Sequence, residues 1–347
     1  MKKVVLSVVA ALAVSTAAAF AADMPAKAPK VAPAPPPSPW DIAFGGGVMN
    51  DYIFRGVSQS NHRPSVTAYF EPRYNINSNW QLYAGISGES ISFPNQAAAE
   101  IDFYGGVRPT FGPLALDFGF WYYYYPGGRC FNVAAFGADC VTNSGNLGAI
   151  PSTLNGIGGN VVKKDLSFWE VYAKGVYTWT DWAFGLNFYY TPSFLDSGAD
   201  GEYLSGTIKF TAPEKMALGP LGWYVSGELG RQWLGTSDNF YGIPALTPIA
   251  PTGVTKTSGI FANGIPYKDY NTWNVGLGLT WKVFTLDLRY YDTNLSKGDC
   301  NAFTSSNNAY GINNVTPINP SGLGTTWCSA SFVAKLTADL TLGSLKP

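Results

Sequence analysis

Residues 168–190 read FWEVYAKGVYTWTDWAFGLNFYY, and this stretch decides the fold. Taken two by two, Trp169, Val171, Ala173, Gly175, Tyr177 and Trp179 share one face, opposite Glu170, Tyr172, Lys174 and Thr178. After Thr180 and Asp181 the alternation resumes. Trp182, Phe184, Leu186, Phe188 and Tyr190 then oppose Ala183, Gly185, Asn187 and Tyr189. A period of two is that of a β-strand whose faces differ. A two-residue hairpin loop sets its flanking residues side by side, so Trp179 and Trp182 emerge together on the apolar face. A sheet that is apolar on one side and carries Glu170 and Lys174 on the other suits a wall between lipid and water.

The same alternation recurs along the chain. The strand from Trp40 to Tyr52 has an apolar face through Ile42, Phe44 and Val48; the next two run through Val66 to Tyr74 and Trp80 to Ile86. Glu100 to Arg108 and Leu114 to Tyr122 supply two more, and the quoted hairpin the sixth and seventh. Leu204 to Phe210, Trp223 to Leu229, Trp273 to Trp281, Phe284 to Tyr290 and Ala330 to Leu340 complete twelve. The links alternate in length. Those at 75–79, 109–113, 180–181, 213–221 and 282–283 are short, whereas 126–165, 235–268 and 294–326 are long. An even strand number with short turns at one end and long loops at the other is the pattern of an outer-membrane barrel. The expected fold is therefore all-β: a membrane-spanning antiparallel up-and-down β-barrel of twelve strands, with both termini on the periplasmic side.

Aromatic placement agrees. Trp80, Trp179, Trp182, Trp223 and Trp281 fall at the short-turn end. Tyr52, Phe54, Tyr122 to Tyr125, Tyr189, Tyr190, Trp273, Tyr290 and Tyr291 fall at the long-loop end, so two interfacial girdles are expected. Composition points the same way: 15% of residues are aromatic and 13% charged, against about a quarter charged in ordinary globular chains.

The first residues read as a targeting segment. Lys2 and Lys3 precede an apolar run, and Ala19-Phe20-Ala21 fits a signal-peptidase site, so residues 1–21 are expected to be removed. Cleavage would take the net charge from −1 to −3, since two lysines leave, which is no footprint for nucleic acid. Residues 22–39 are rich in Pro and Ala and read as an extended periplasmic linker, with cell-wall contact the alternative to a bare spacer. Residues 40–347 form the barrel. No cofactor is implied; the Gly45-Gly46-Gly47 run has no following helix to cradle a phosphate, and fits a bend or room inside the barrel.

Four cysteines lie in long loops, Cys130 and Cys140 in the third, Cys300 and Cys328 at the ends of the sixth. Loop-local pairs Cys130–Cys140 and Cys300–Cys328 are expected in an oxidising compartment, and a zinc site is not, because the spacing lacks C-x-x-C. His62, the only histidine, could serve a hydrolase only if a nucleophile and an orienting group flanked it, so no catalytic residue is assigned.

The inward phase carries Glu71, Glu89, Glu100, Asp102, Asp117, Glu170, Glu228, Asp287 and Asp339 against Arg73, Arg108, Lys174, Lys209, Arg289 and Lys335. A mixed lining with a small acidic excess suits a water-filled lumen that weakly prefers cations. Mutual neutralisation inside a narrow barrel is the other outcome.

The stretch VMNDYIFRGVSQS, Val48 to Ser60, followed by Pro64, resembles the opening motif of the TorF-type porin family, and FVAKLTADL near the C-terminus is similar to that family's closing strand. Asp51, Tyr52, Phe54, Arg55, Gly56, Ser58, Gln59 and Ser60 carry the match. The resemblance implies an outer-membrane porin and assigns these residues no role; they could cap the first strand or fold inward. The expected function is passive diffusion of small hydrophilic solutes across the bilayer of the outer membrane. The alternative is a non-conducting scaffold or surface-interaction barrel acting through its disulfide-closed loops.

Overall fold

The computed structural model describes residues 39–131, 161–241, 261 and 264–345. The expected leader, nearly all of the linker and Cys140 lie outside the described residues. The barrel strands are β1 (Trp40–Met49), β2 (Ser65–Asn75), β3 (Trp80–Glu89), β4 (Glu100–Phe111), β5 (Leu114–Tyr124) and β6 (Phe168–Trp179). They continue with β7 (Trp182–Thr191), β8 (Gly201–Thr211), β9 (Gly222–Leu234), β10 (Tyr270–Trp281), β11 (Phe284–Thr293) and β12 (Ser331–Thr341). Each pairs antiparallel with its neighbour in sequence, and β1 closes the ring on β12. Closure leaves no unpaired strand edge, which is what a sheet in hydrocarbon requires.

The alternation in the sequence becomes the two faces of this wall. Val171, Leu186, Leu229, Val275 and Phe332 are exposed on the outside, while Glu170, Tyr172 and Lys174 are buried within. A closed cylinder of exposed apolar side chains is stable against lipid, not water. Trp179 and Trp182 pair across the β6–β7 turn, which Thr180 closes at φ 52°. Gly45 sits inside, where a Cβ would strike the Ala338 carbonyl of β12 and the Tyr69 ring, so it is close packing that requires glycine there.

Two expectations need correction. β1 ends at Met49 rather than at Tyr52, because from Asp51 the chain turns into the barrel. The girdle at the long-loop end is also thinner than expected. Tyr123 and Tyr125 are buried inside, Tyr189, Tyr291 and Tyr52 line the interior cavity, and Phe54 projects inward with its loop. A run of consecutive aromatics must divide between the two faces of a strand, whatever its height in the membrane.

The interior is filled unevenly. Along β2 to β6, Arg108 grips Glu71 at 2.7 and 3.1 Å, and Arg73 meets the same carboxylate at 2.6 Å. Asp117 accepts from the Tyr83 hydroxyl at 2.5 Å, and the Arg108 guanidinium lies 3.5 Å from the Tyr83 ring centre. Tyr83 also touches the Tyr172 hydroxyl. Across the barrel, Ala183, Gly185, Ser205, Thr207 and Gly227 present almost no bulk, and a cavity of about 340 Å³ opens there. Large residues on one wall and small ones on the other leave the lumen narrow and off-centre.

Candidate functional site

The site is built by residues 50–64, which fold into the barrel. Ile53 pairs with Ser58 and Phe54 with Val57, forming a miniature hairpin tipped by Arg55 and Gly56. Both tip residues have positive φ, 47° and 80°, the signature of a type I′ turn. Glycine suits that geometry without cost. Arginine does not, so its side chain must be held by something else.

What holds it is Glu170 on β6. Arg55 Nη1 donates to Glu170 Oε1 at 2.9 Å and Nη2 to Oε2 at 2.7 Å, while Nη1 also reaches Gln232 Oε1 at 3.0 Å. Tyr123 donates to the same carboxylate at 3.2 Å. The guanidinium is stacked among Phe54, Tyr189 and Tyr203, at 4.7, 4.8 and 4.6 Å from their ring centres. Both partners are withdrawn from water, with side-chain exposures of 5% and 0%. Such a pair persists only when every remaining donor and acceptor is satisfied, which the glutamine, the tyrosine and the rings largely achieve.

The base of the hairpin is tied by Asp51. Its Oδ1 accepts from Ser58 at 2.6 Å and Ser60 at 2.9 Å, and its Oδ2 from Ser331 at 3.2 Å and from His62 Nδ1 at 2.7 Å. The other ring nitrogen of His62 lies 3.1 Å from the Thr326 carbonyl. A carboxylate and a carbonyl are both acceptors, so the doubly protonated imidazolium is the form that satisfies both. The hydrogen bond to Asp51 accordingly raises the His62 pKa above its ordinary value, against the pull of partial burial. His62 is thus placed as a strut between two loops.

The remaining motif residues complete the seat. Gln59 Nε2 donates to the Val57 carbonyl at 2.8 Å, and Gly56 packs against Thr272 and Thr293, where a Cβ would not fit. Tyr52 donates to Glu100 at 2.6 Å, and the sixth loop clamps the hairpin from above through Ser58 N to Trp327 O at 2.8 Å. Cys328 beside it is bonded to Cys300.

The expected lining residues divide into three groups. Arg73, Arg108 and Asp117 belong to the filled wall, and Glu170 is taken up by Arg55. Lys174 is buried on the same wall 4.0 Å from the Tyr172 ring centre, and Glu100 is buried at the outer end of β4. Asp102, Lys209, Glu228, Asp287 and Arg289 face the cavity, where Arg289 pairs with Asp287 at 2.8 Å. The cavity ends against Tyr52 to Gly56 of the hairpin. A second, smaller cavity of about 60 Å³ lies among the long loops, walled by Phe93, Phe168, Tyr267 and Trp327. Phe54 borders both, so the hairpin is the partition between them.

A family model described as "Bacterial protein of unknown function (Gcw_chp)" matches residues 33–156, a segment that includes the whole hairpin. Similarity searches among curated proteins find no match. Among solved structures, a loop-deletion variant of OmpT, an outer membrane protein of Vibrio cholerae, is 11% identical, covering 87% of this chain and 100% of its own at a TM-score of 0.34. The NanC porin is 8% identical over 87% of this chain and 100% of that one, with a TM-score of 0.37. LpxR from Salmonella typhimurium is 8% identical over 86% and 99%, with a TM-score of 0.35. At these values the likenesses do not bear on what this barrel conducts or binds; its fold rests on its own hydrogen-bonded ring.

Proposed function

We propose that the chain is an outer-membrane channel for small hydrophilic solutes, exported through its cleaved N-terminal segment, with an outer mouth held shut by the Arg55 hairpin. The observation that carries this reading is the partition. A polar, mixed-charge cavity, widest along β7 to β11 and bordered also by Thr67, Glu89, Asp102 and Lys335, stops at a hairpin whose tip a buried ion pair, Arg55 to Glu170, fixes to the wall. A lining with Lys209, Glu228, Asp287 and Arg289 favours water and charged or hydroxyl-bearing solutes over apolar ones. The resemblance of Val48 to Ser60 to TorF-type porins supports the same class; the role of latch for Arg55 rests on its ion pair with Glu170 alone. Cation preference in this reading comes from Glu228, which accepts from Tyr203 and Asn274 and enters no ion pair among the described residues. Both termini face the periplasm, with the linker free to touch the cell wall.

The competing reading, a non-conducting scaffold, draws on the filled β2 to β6 wall and on the interlocked outer loops. Lys163, for example, ties the third loop to Asp238 at 2.5 Å. Liposome swelling separates the two. Vesicles carrying the purified chain should admit glycerol-sized and pentose-sized solutes slowly, and faster when Arg55→Ala is used. Vesicles that stay osmotically tight with both proteins would favour the scaffold.

A further inference from the structure

Outside the latch, the most unusual group of side chains stands at the outer end of β3 and β4. Glu89 and Glu100 are direct partners in the register, and Asp102 follows on the same inner face opposite Ser87. Like charges placed directly opposite one another weaken a sheet. Here one ligand oxygen from each of the three carboxylates lies within 4.8 Å of the others, and the residues are only 6%, 2% and 3% exposed. Lys335 interacts with Glu89 electrostatically, but one ammonium cannot offset three carboxylates.

The hydrogen bonds are arranged so that one oxygen is left over on two of the three. Thr67 donates to Glu89 Oε1 at 2.8 Å and Ser87 to Asp102 Oδ2 at 3.0 Å. Glu89 Oε2 and Asp102 Oδ1 are buried and make no close hydrogen bond, the nearest donor to Asp102 after Ser87 being the likewise unsatisfied indole N–H of Trp121. Glu100 is steadied from both sides by the Tyr52 and Tyr125 hydroxyls, at 2.6 and 2.7 Å. Hydroxyl donors that fix one oxygen and leave the other free are the outer support usual around metal-binding carboxylates. Buried acceptors without a donor cost free energy unless a positive charge meets them. Glu89 and Asp102 both border the lumen cavity, which supplies a route for an ion from water.

We infer that Glu89, Glu100 and Asp102 form a binding site for one hard divalent cation of the calcium class. Three oxygen ligands with no thiolate or imidazole select hard ions over zinc or copper. Calcium binds oxygens at about 2.3–2.6 Å, so opposite ligands stand up to about 5 Å apart. The observed spread fits inside that span. The site stands independently of whether the barrel conducts. Its filling would also reverse the Glu89–Glu100 repulsion and stiffen the wall to which Tyr52 anchors the hairpin.

The test is a terbium titration of the full chain, folded in detergent and stripped of metal with a chelator. Tyr52 and Tyr125 lie against Glu100 and would sensitise terbium emission. The expected result is emission that saturates at one ion per barrel, is displaced by calcium and not by sodium, and weakens about tenfold in affinity in Asp102→Asn and Glu89→Gln. Glu214→Gln, in an exposed short turn, should bind as the wild type does. A calcium-dependent rise in the unfolding temperature of the wild type gives a second reading that needs no variant. Emission that never saturates, an affinity indifferent to both substitutions, or an unfolding temperature equal with calcium and with chelator would each overturn the site.

Discussion

Arg55 and Glu170, 115 residues apart in sequence, meet inside the barrel through two parallel hydrogen bonds of 2.9 and 2.7 Å. The pair joins the hairpin tip to the inner wall of β6, and it is the ion pair among ties that also include Tyr52 to Glu100, Ser331 to Asp51 and Tyr270 to the Arg55 carbonyl. Either charge left there alone would be buried without a counter-ion, a desolvation cost that its remaining hydrogen bonds would not offset.

Removing one partner should therefore cost more than removing both. Arg55→Ala leaves Glu170 buried without its cation, at a cost of about 3–5 kcal/mol, and Arg55→Ala with Glu170→Gln should recover a good part of it. Arg55→Lys should not substitute, because a single ammonium cannot make the two parallel bonds and the contact to Gln232 together. Urea titrations of folded barrels, compared as a double-mutant cycle, read the coupling. Additive losses would mean the two residues stabilise the hairpin separately.

Gly56 is the other half of the turn. At φ 80°, with Thr272 and Thr293 against its α-carbon, Gly56→Ala should strain the tip by about 1–3 kcal/mol and loosen the hairpin. Limited trypsin digestion checks this, since the bond after Arg55 is shielded in the closed form. The wild type should resist, and Gly56→Ala should be cut there first. Equal resistance would show that the tip tolerates a side chain.

The single histidine makes the strut directly observable. His62 is held charged by Asp51, so its contribution is complete below the unfolded value of about 6.5 and is lost as pH rises through the higher folded value. Histidine-selective NMR should give one titration, displaced above about 6.5, that returns to the ordinary range in Asp51→Asn. A midpoint at or below that value in the wild type would remove the imidazolium from the loop tie. The hairpin should accordingly be tied most firmly at mildly acidic pH.

Selectivity should follow the charges that face the cavity without an ion-pair partner. Glu228→Gln should lower cation preference, read as a reversal potential closer to zero under a salt gradient. Asp287→Asn should act less cleanly, because it also frees Arg289. Glu170 is a poor probe of selectivity, since neutralising it opens the latch. A reversal potential indifferent to Glu228→Gln would place the selective charges elsewhere.

Strand count, pairing order and facing were legible in the sequence because a period of two and alternating loop lengths are local signals. The stretch 168–190 displays both, and its turn and Trp179–Trp182 pair are as expected. The inward orientation of Glu170 and Lys174 followed from the same period. Their partners did not. Arg55 meets Glu170, and Arg108 meets Glu71, across separations that only barrel closure and loop folding define. The Val48 to Ser60 motif singled out Arg55 and Gly56 as residue types, but the hint of an inward turn lay in a geometry, two successive positive φ values, that side-chain identity at Arg55 does not announce. The Glu89–Glu100–Asp102 group was likewise visible as three inward acids; their convergence needed the register.

Single-channel recording in planar bilayers, with the wild type and Arg55→Ala side by side, tests the central claim most directly. The account predicts small, infrequent conductance steps from the wild type and larger, long-lived ones from Arg55→Ala, with Arg55→Lys between them. Silence from both proteins, or steps of identical size and duration, would contradict a channel closed by the Arg55–Glu170 latch.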